Sequence, residues 1–140
     1  STKGRYALRM MIEFGMNPDA CTKISQVAAS QGISDKYLEQ IVTLLHRAGY
    51  VRSIRGAQGG YMLTMPPEKY TVGMILRQTE GSLSPVSCLD KDAPPCERAG
   101  QCVTLSVWQK IKDAVDQVVD HVTLADLIEE QRCHPNDNLL

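Results

Sequence analysis

The sequence predicts a mainly α-helical fold with one small β-hairpin, a winged helix–turn–helix followed by a long dimerisation helix. Three observations predict it. Residues 23–47 divide into two short amphipathic runs joined by Gly32-Ile33-Ser34, the outline of a helix–turn–helix. Residues 51–63 hold two short apolar runs around the turn Arg55-Gly56-Ala57-Gln58-Gly59-Gly60, a hairpin signal. Residues 101–122 place Trp108, Ile111, Val115, Val118 and Val122 at alternating spacings of three and four, a heptad-like seam that suits either a partner helix or packing on its own domain. These divide the chain into a winged domain over 1–80, a cysteine-bearing loop over 81–101, a dimerisation helix with a short final helix over 102–131, and a tail over 132–140.

Taken in order, residues 3–17 read as a helix with Leu8, Met11, Ile12 and Gly15 on one face, ended by Asn17-Pro18-Asp19. Lys3, Arg5 and Arg9 crowd its start. Cations there oppose the helix dipole, and a phosphate would compensate them, so Lys3 and Arg5 are candidate DNA-backbone contacts. The next helix runs from Lys23 to Gln31, with Thr22 as its expected N-cap and Gly32 as its stop. In the following helix Ser34 is the expected N-cap. Leu38, Ile41, Val42 and Leu45 form its buried face, and Gly49 stands where a left-handed C′ residue is needed. Ser34, Lys36, Tyr37 and Gln40 fall on the outward face with Glu39 beside them. Hydroxyl, amide and carboxylate groups suit base edges, and cations suit phosphate. Strands follow at 51–54 and 61–63 with Arg55 at the tip of the wing. Pro66-Pro67 ends the second strand, Thr71 caps a helix over 72–79, and Thr123 caps one over 124–131.

At 140 residues the chain is one domain, or one domain with a dimerising arm. No apolar stretch approaches the length of a membrane span and no secretory signal is visible, so a cytoplasmic protein is expected. The net charge of −1 hides an asymmetry. Residues 1–65 carry eight Lys/Arg and four Asp/Glu, against seven and twelve in residues 66–140. The basic half holds the helix–turn–helix and wing, the footprint expected of a DNA-binding face. No nucleophile–base pair, phosphate loop or Cys-x-x-Cys is present, so an enzyme is not expected.

Two motifs, GISDKYLEQ (32–40) and SIRGAQGGYML (53–63), closely resemble the IscR/NsrR/CymR-like family of bacterial winged helix–turn–helix transcription regulators, and STKGRYAL (1–8) matches the family's start. The resemblance runs from residue 1 to about residue 131. It implies a homodimer that binds a double-stranded DNA operator. Groove contacts carry over to Ser34, Lys36, Tyr37, Glu39 and Gln40, a minor-groove contact to Arg55, and the dimer interface to the helix bearing the seam.

Cys88, Cys96 and Cys102 lie in a polar, proline-containing stretch and are separated by seven and then five residues. Clustered cytosolic thiols read as metal ligands or redox groups more readily than as structural disulfides. The triplet therefore admits a cluster, a reversible disulfide or three unconnected thiols. Its place resembles the family's cluster-binding branch, which implies an iron–sulfur cluster, commonly [2Fe-2S], with a fourth ligand that is not cysteine. The two positions that supply that ligand in subgroups of the family hold Leu105 and Arg5 here, neither able to coordinate. The segment EGSLSPV (80–86) resembles instead the cysteine-metabolism repressors, which lack the triplet and are modulated by a cysteine-biosynthesis enzyme. Some of these carry a reactive thiol near the place of Cys21, which otherwise reads as a small packed hydrophobe. The expected function is a homodimeric repressor of iron–sulfur cluster or cysteine metabolism genes that senses through the cluster. The alternative is a cluster-free repressor controlled by thiol chemistry or by a partner.

Overall fold

The computed structural model describes residues 1–134; residues 135–140, most of the expected tail, lie outside the described residues. The core is built around the first helix, α1 (Thr2–Met16). Its buried set is wider than one face. Gly4, Ala7, Met10, Met11, Ile12, Phe14 and Gly15 are all buried, whereas Leu8 is only half-buried. The reason is its neighbours. It is flanked by α2 (Ile24–Gln31) and α3 (Asp35–Arg47), and also by α4 (Val72–Glu80) and α6 (Leu124–Cys133). Gly15 makes the last approach possible, since a Cβ there would run into the Ile128 side chain.

The helix–turn–helix forms as the spacing predicts. Gly32 takes φ 65° between α2 and α3, and the Ser34 hydroxyl accepts from the Tyr37 amide at 3.2 Å. Leu38, Ile41, Val42 and Leu45 are fully buried. The cap of α2 differs from expectation. Lys23 is the N-cap and its amide donates to the Gln26 side chain at 2.9 Å. Thr22 is buried and committed elsewhere, exchanging backbone hydrogen bonds with Tyr61 at 3.0 and 2.9 Å. That bridge fastens the chain entering α2 to the second strand of the wing.

The wing is a two-stranded antiparallel sheet, β1 (Val51–Ile54) and β2 (Gly60–Leu63), with Val51 opposite Leu63 and Ile54 opposite Gly60. Its base is held by Tyr70, which is fully buried beyond a 3-10 turn at Pro67–Lys69. Thr71 caps α4 through the Met74 amide at 3.0 Å, and Thr123 caps α6 through the Asp126 amide at 3.1 Å.

The long helix is shorter than its periodicity suggests. It is α5 (Leu105–Val119), not 101–122. Residues 101–104 lie in turns, and the Leu105 amide donates to the Cys102 carbonyl at 3.2 Å. At the other end Val122 leaves the helix because its carbonyl accepts from the Val72 amide at 2.9 Å. The Leu124 amide likewise donates to Tyr70, making a bridge between Thr71 and Thr123. The final helix in turn runs on to Cys133, inside the expected tail.

Candidate nucleic-acid interface

The exposed face of α3 and the wing border one groove. Lys23, Ser25, Asp35, Glu39, Arg55 and Tyr61 line it, and its volume is about 430 Å³. Lys36, Glu39, Gln40 and Arg55 are exposed, as are Lys3 and Arg5 on the first turns of α1. Among the described residues Arg55 has no ion-pair partner, and it stands at the hairpin tip. Two glycines shape that tip. Gly56 takes φ 106°, and a Cβ on Gly59 would collide with the Ile54 carbonyl.

Two of the sequence-nominated contacts carry other duties. The Ser34 hydroxyl accepts in the cap of α3 and keeps its own O–H to donate. Tyr37 is half-buried, its ring edge-on to Tyr6 with centroids 5.6 Å apart and its hydroxyl 3.1 Å from the Thr2 hydroxyl. The pair fixes the start of α3 against α1, so Tyr37 offers an edge rather than a free side chain. Lys23 and Ser25 were not legible as groove residues, because only the wing bridge at Thr22 brings the start of α2 beside the hairpin. Glu39 sits close enough to Tyr61 that burial first, and the carboxylate second, hold the phenol above its ordinary range.

The apolar side of α5 faces away from the body. Val103, just before the helix, is 87% exposed, and Val107, Ile111 and Val118 are 49%, 42% and 61% exposed. The seam expected from sequence divides. Ile111 and Val118 lie open, whereas Trp108, Val115 and Val122 are half-buried. Only Val119 of this helix is buried. Ion pairs join it to α4, with Arg77 bonded to Asp120 at 2.5 and 3.1 Å and to Asp116 at 3.0 Å, and within α5 Lys112 reaches Asp116 at 2.6 Å.

All three cysteines of the triplet are free and exposed. Cys88 and Cys96 line one cleft of about 670 Å³ with Asp90, Lys91 and Asp92. Cys102 does not line it. Its sulfur pairs with the Thr104 hydroxyl at 3.4 Å, which is the first cause of a thiol held below its ordinary range. Among the described residues no three His, Cys, Asp or Glu side chains are grouped to hold one metal ion. As folded, the triplet does not fit an iron–sulfur cluster, because two donors share a cleft and the third points into its own turn.

Known proteins agree with the winged-helix geometry. The Rrf2 family, described as iron-dependent transcriptional regulators, matches residues 1–130. The chain belongs to the Rrf2 family. It is 44% identical to the transcriptional regulator CymR of Bacillus subtilis over 91% of this chain and 87% of that one. It is 30% identical to the regulator IscR of Aliivibrio salmonicida over 91% of this chain and 76% of the relative. The solved structure of CymR, the global cysteine regulator of B. subtilis, superposes with a TM-score of 0.76 at 42% identity, covering 93% of this chain and 95% of that one. These relatives are transcriptional regulators, not enzymes, and DNA binding is the activity of this Rrf2 protein. No helix among the described residues is long and apolar enough to cross a membrane.

Proposed function

We propose that this Rrf2 protein is a cytoplasmic, homodimeric repressor that reads a two-fold operator and controls genes of cysteine or iron–sulfur metabolism. The observation that carries the reading is the groove shared by α3 and the wing, with Glu39 on one wall and the unpaired Arg55 on the other. A recognition helix in the major groove and an arginine in the adjacent minor groove account for that pairing of groups. Lys3, Arg5 and Lys36 supply phosphate contacts, and Ser34, Tyr37, Glu39 and Gln40 line the base-reading surface. A reader of symmetric sites needs two such units a DNA turn apart. The apolar side of α5 supports a two-fold contact, because Val107, Ile111 and Val118 there, with Val103 just before the helix, are otherwise left in water. Cysteine metabolism is favoured over other pathways by the 44% identity to CymR, whose solved structure is that of the global cysteine regulator of B. subtilis.

The sensing element is the segment over 81–104. An iron–sulfur cluster, of the [2Fe-2S] type, remains the ligand that the triplet Cys88, Cys96 and Cys102 supports by resemblance. Holding it would require Cys102 to swing toward the cleft of the other two. The second reading is control by thiol oxidation, which the shared Cys88–Cys96 cleft favours, or by a cysteine-biosynthesis enzyme.

Selection of duplexes from a random library tests the DNA reading, with enrichment of a two-fold sequence as the expected result and no enrichment as the result that overturns it. Anaerobic reconstitution with iron and sulfide then separates the two sensors. Under the cluster reading the wild type gains visible absorbance that the Cys88/Cys96/Cys102→Ala protein lacks. Under the thiol reading both stay colourless, and only the wild type changes operator affinity on oxidation.

A further inference from the structure

We propose that the cleft between the start of the cysteine segment and α5 is a binding site for a small zwitterion, an α-amino acid. Its volume is about 590 Å³, within the range of small-molecule sites. It is walled by α4's last turn and the following loop on one side and by Lys112 and Asp116 of α5 on the other. Its back wall is electrostatically closed. Arg77, Lys112, Asp116 and Asp120 satisfy one another at 2.5 to 3.1 Å.

The front wall is not closed. Lys91 has no ion-pair partner among the described residues. Among the described residues the carboxylate of its neighbour Asp90 meets only the Ser82 hydroxyl, which cannot cancel its charge. One cation and one anion, adjacent in the chain and without ion-pair partners among the described residues, thus line the same cleft, and both also border the adjoining Cys88–Cys96 cleft. A ligand of single charge would satisfy one and repel the other. A molecule bearing a carboxylate and an ammonium on adjacent atoms pairs with both, the carboxylate on Lys91 and the ammonium on Asp90. Leu83 and Leu89, both half-buried in the same cleft, offer an apolar wall for a short side chain.

The site also spans the joint of the molecule. Asp90 and Lys91 belong to the segment that carries the cysteines, whereas the opposite wall is α5. A bound amino acid would brace that segment against the helix. Its effect on DNA rests on the repressor reading above, because a ligand shifts an equilibrium only through its differential affinity for two arrangements. Binding itself does not rest on that reading.

Calorimetric titration of the full, reduced chain tests the site. The probes are glycine, L-alanine, L-serine, L-cysteine and L-leucine, together with the half-ligands propionate and ethylammonium. The expected result is saturable binding of at least one amino acid and none of either half-ligand. Lys91→Ala and Asp90→Asn should each weaken it by about tenfold or more, while Arg55→Ala, altered only at the wing tip, binds as the wild type does. Lys91 is exposed, so its variant keeps the fold, and an unchanged melting temperature checks this. Absence of binding by every amino acid, equal binding by propionate, or affinity untouched by both cleft variants overturns the proposal. Failure of the wild type to select an operator, with amino-acid binding intact, would count against the repressor reading alone.

Discussion

The hydroxyl of Tyr70 donates to the Tyr50 carbonyl at 2.7 Å, and the two rings meet edge to face at 5.8 Å. The same oxygen accepts from the amides of Thr64 and Met65, both at 3.0 Å. Tyr50 precedes β1 and Thr64 follows β2, so one buried phenol closes the base of the wing. Thr64 keeps a second amide contact with Tyr50 at 3.3 Å, but Met65 depends on the phenol. Tyr70→Phe preserves the packing and removes the bonds. Unmet buried polar groups cost about 1–3 kcal/mol, and the urea midpoint should fall accordingly with an unchanged slope. An unchanged midpoint would mean that the wing base is held by packing alone.

The ion pairs between α4 and α5 give a second expectation. Arg77 and Asp120 are both more than a third exposed, at 38% and 40%, so screening discounts their attraction. The coupling in an Arg77→Ala, Asp120→Ala cycle should be about 1 kcal/mol or less. Asp116 adds a pH signature. Hydrogen bonding from Lys112 first, with Lys112 and Arg77 charge behind it, holds its carboxyl below the usual range. A depressed folded pKa stabilises above the unfolded value, about 4, and that stability drains away as pH falls through the lower folded value. Unfolding measured across that acid range should lose stability more steeply in the wild type than in Asp116→Asn. Parallel curves would sink the assignment.

Much of this was legible in the chain because local signals agreed with the tertiary answer. Ser34, Thr71 and Thr123 announce helix starts by their own hydroxyls, and each one makes its cap. Gly32 and Gly49 announce stops, and both take positive φ. The errors fall where a distant strand or helix intervened. Thr22 lost its capping role to a bridge with Tyr61, which lies far along the chain and reaches it only through the fold. Val122 left its helix because Val72 claimed its carbonyl. Tyr70 carried no motif at all, since nothing local distinguishes a buried tyrosine that binds three backbone groups. For the candidate interface, residue types and spacing reached α3 and Arg55, but the side-chain duties of Tyr37 depended on Thr2 and Tyr6.

The apolar side of α5 yields a test of assembly that leaves the fold alone. Val118 is 61% exposed and Ile111 42% exposed in the single chain. A glutamate at either place is solvated in a monomer, so the helical signal and melting behaviour of an isolated chain should barely change. In a dimer the same charge would be buried without a partner, which is strongly unfavourable. Val118→Glu and Ile111→Glu are therefore expected to sediment as monomers at concentrations where the wild type is a dimer. Variants that still sediment with the wild type would move the interface off this helix.

Arg55 and Lys3 should fail differently. Both are exposed and neither has an ion pair among the described residues, so replacing either with alanine should leave stability within experimental error. On DNA their roles diverge. An arginine inserted in a minor groove gains most where that groove is narrow. Arg55→Ala should therefore cost about 1–3 kcal/mol at the selected operator and far less on unrelated duplex. Lys3 meets only phosphate under this reading, so Lys3→Ala should weaken both duplexes alike and reduce the salt dependence of log K by about one unit of slope. Binding titrations of both variants on both duplexes at several salt concentrations separate these outcomes. Equal losses on the two duplexes for Arg55→Ala would make the wing a charge anchor and return sequence reading to α3 alone.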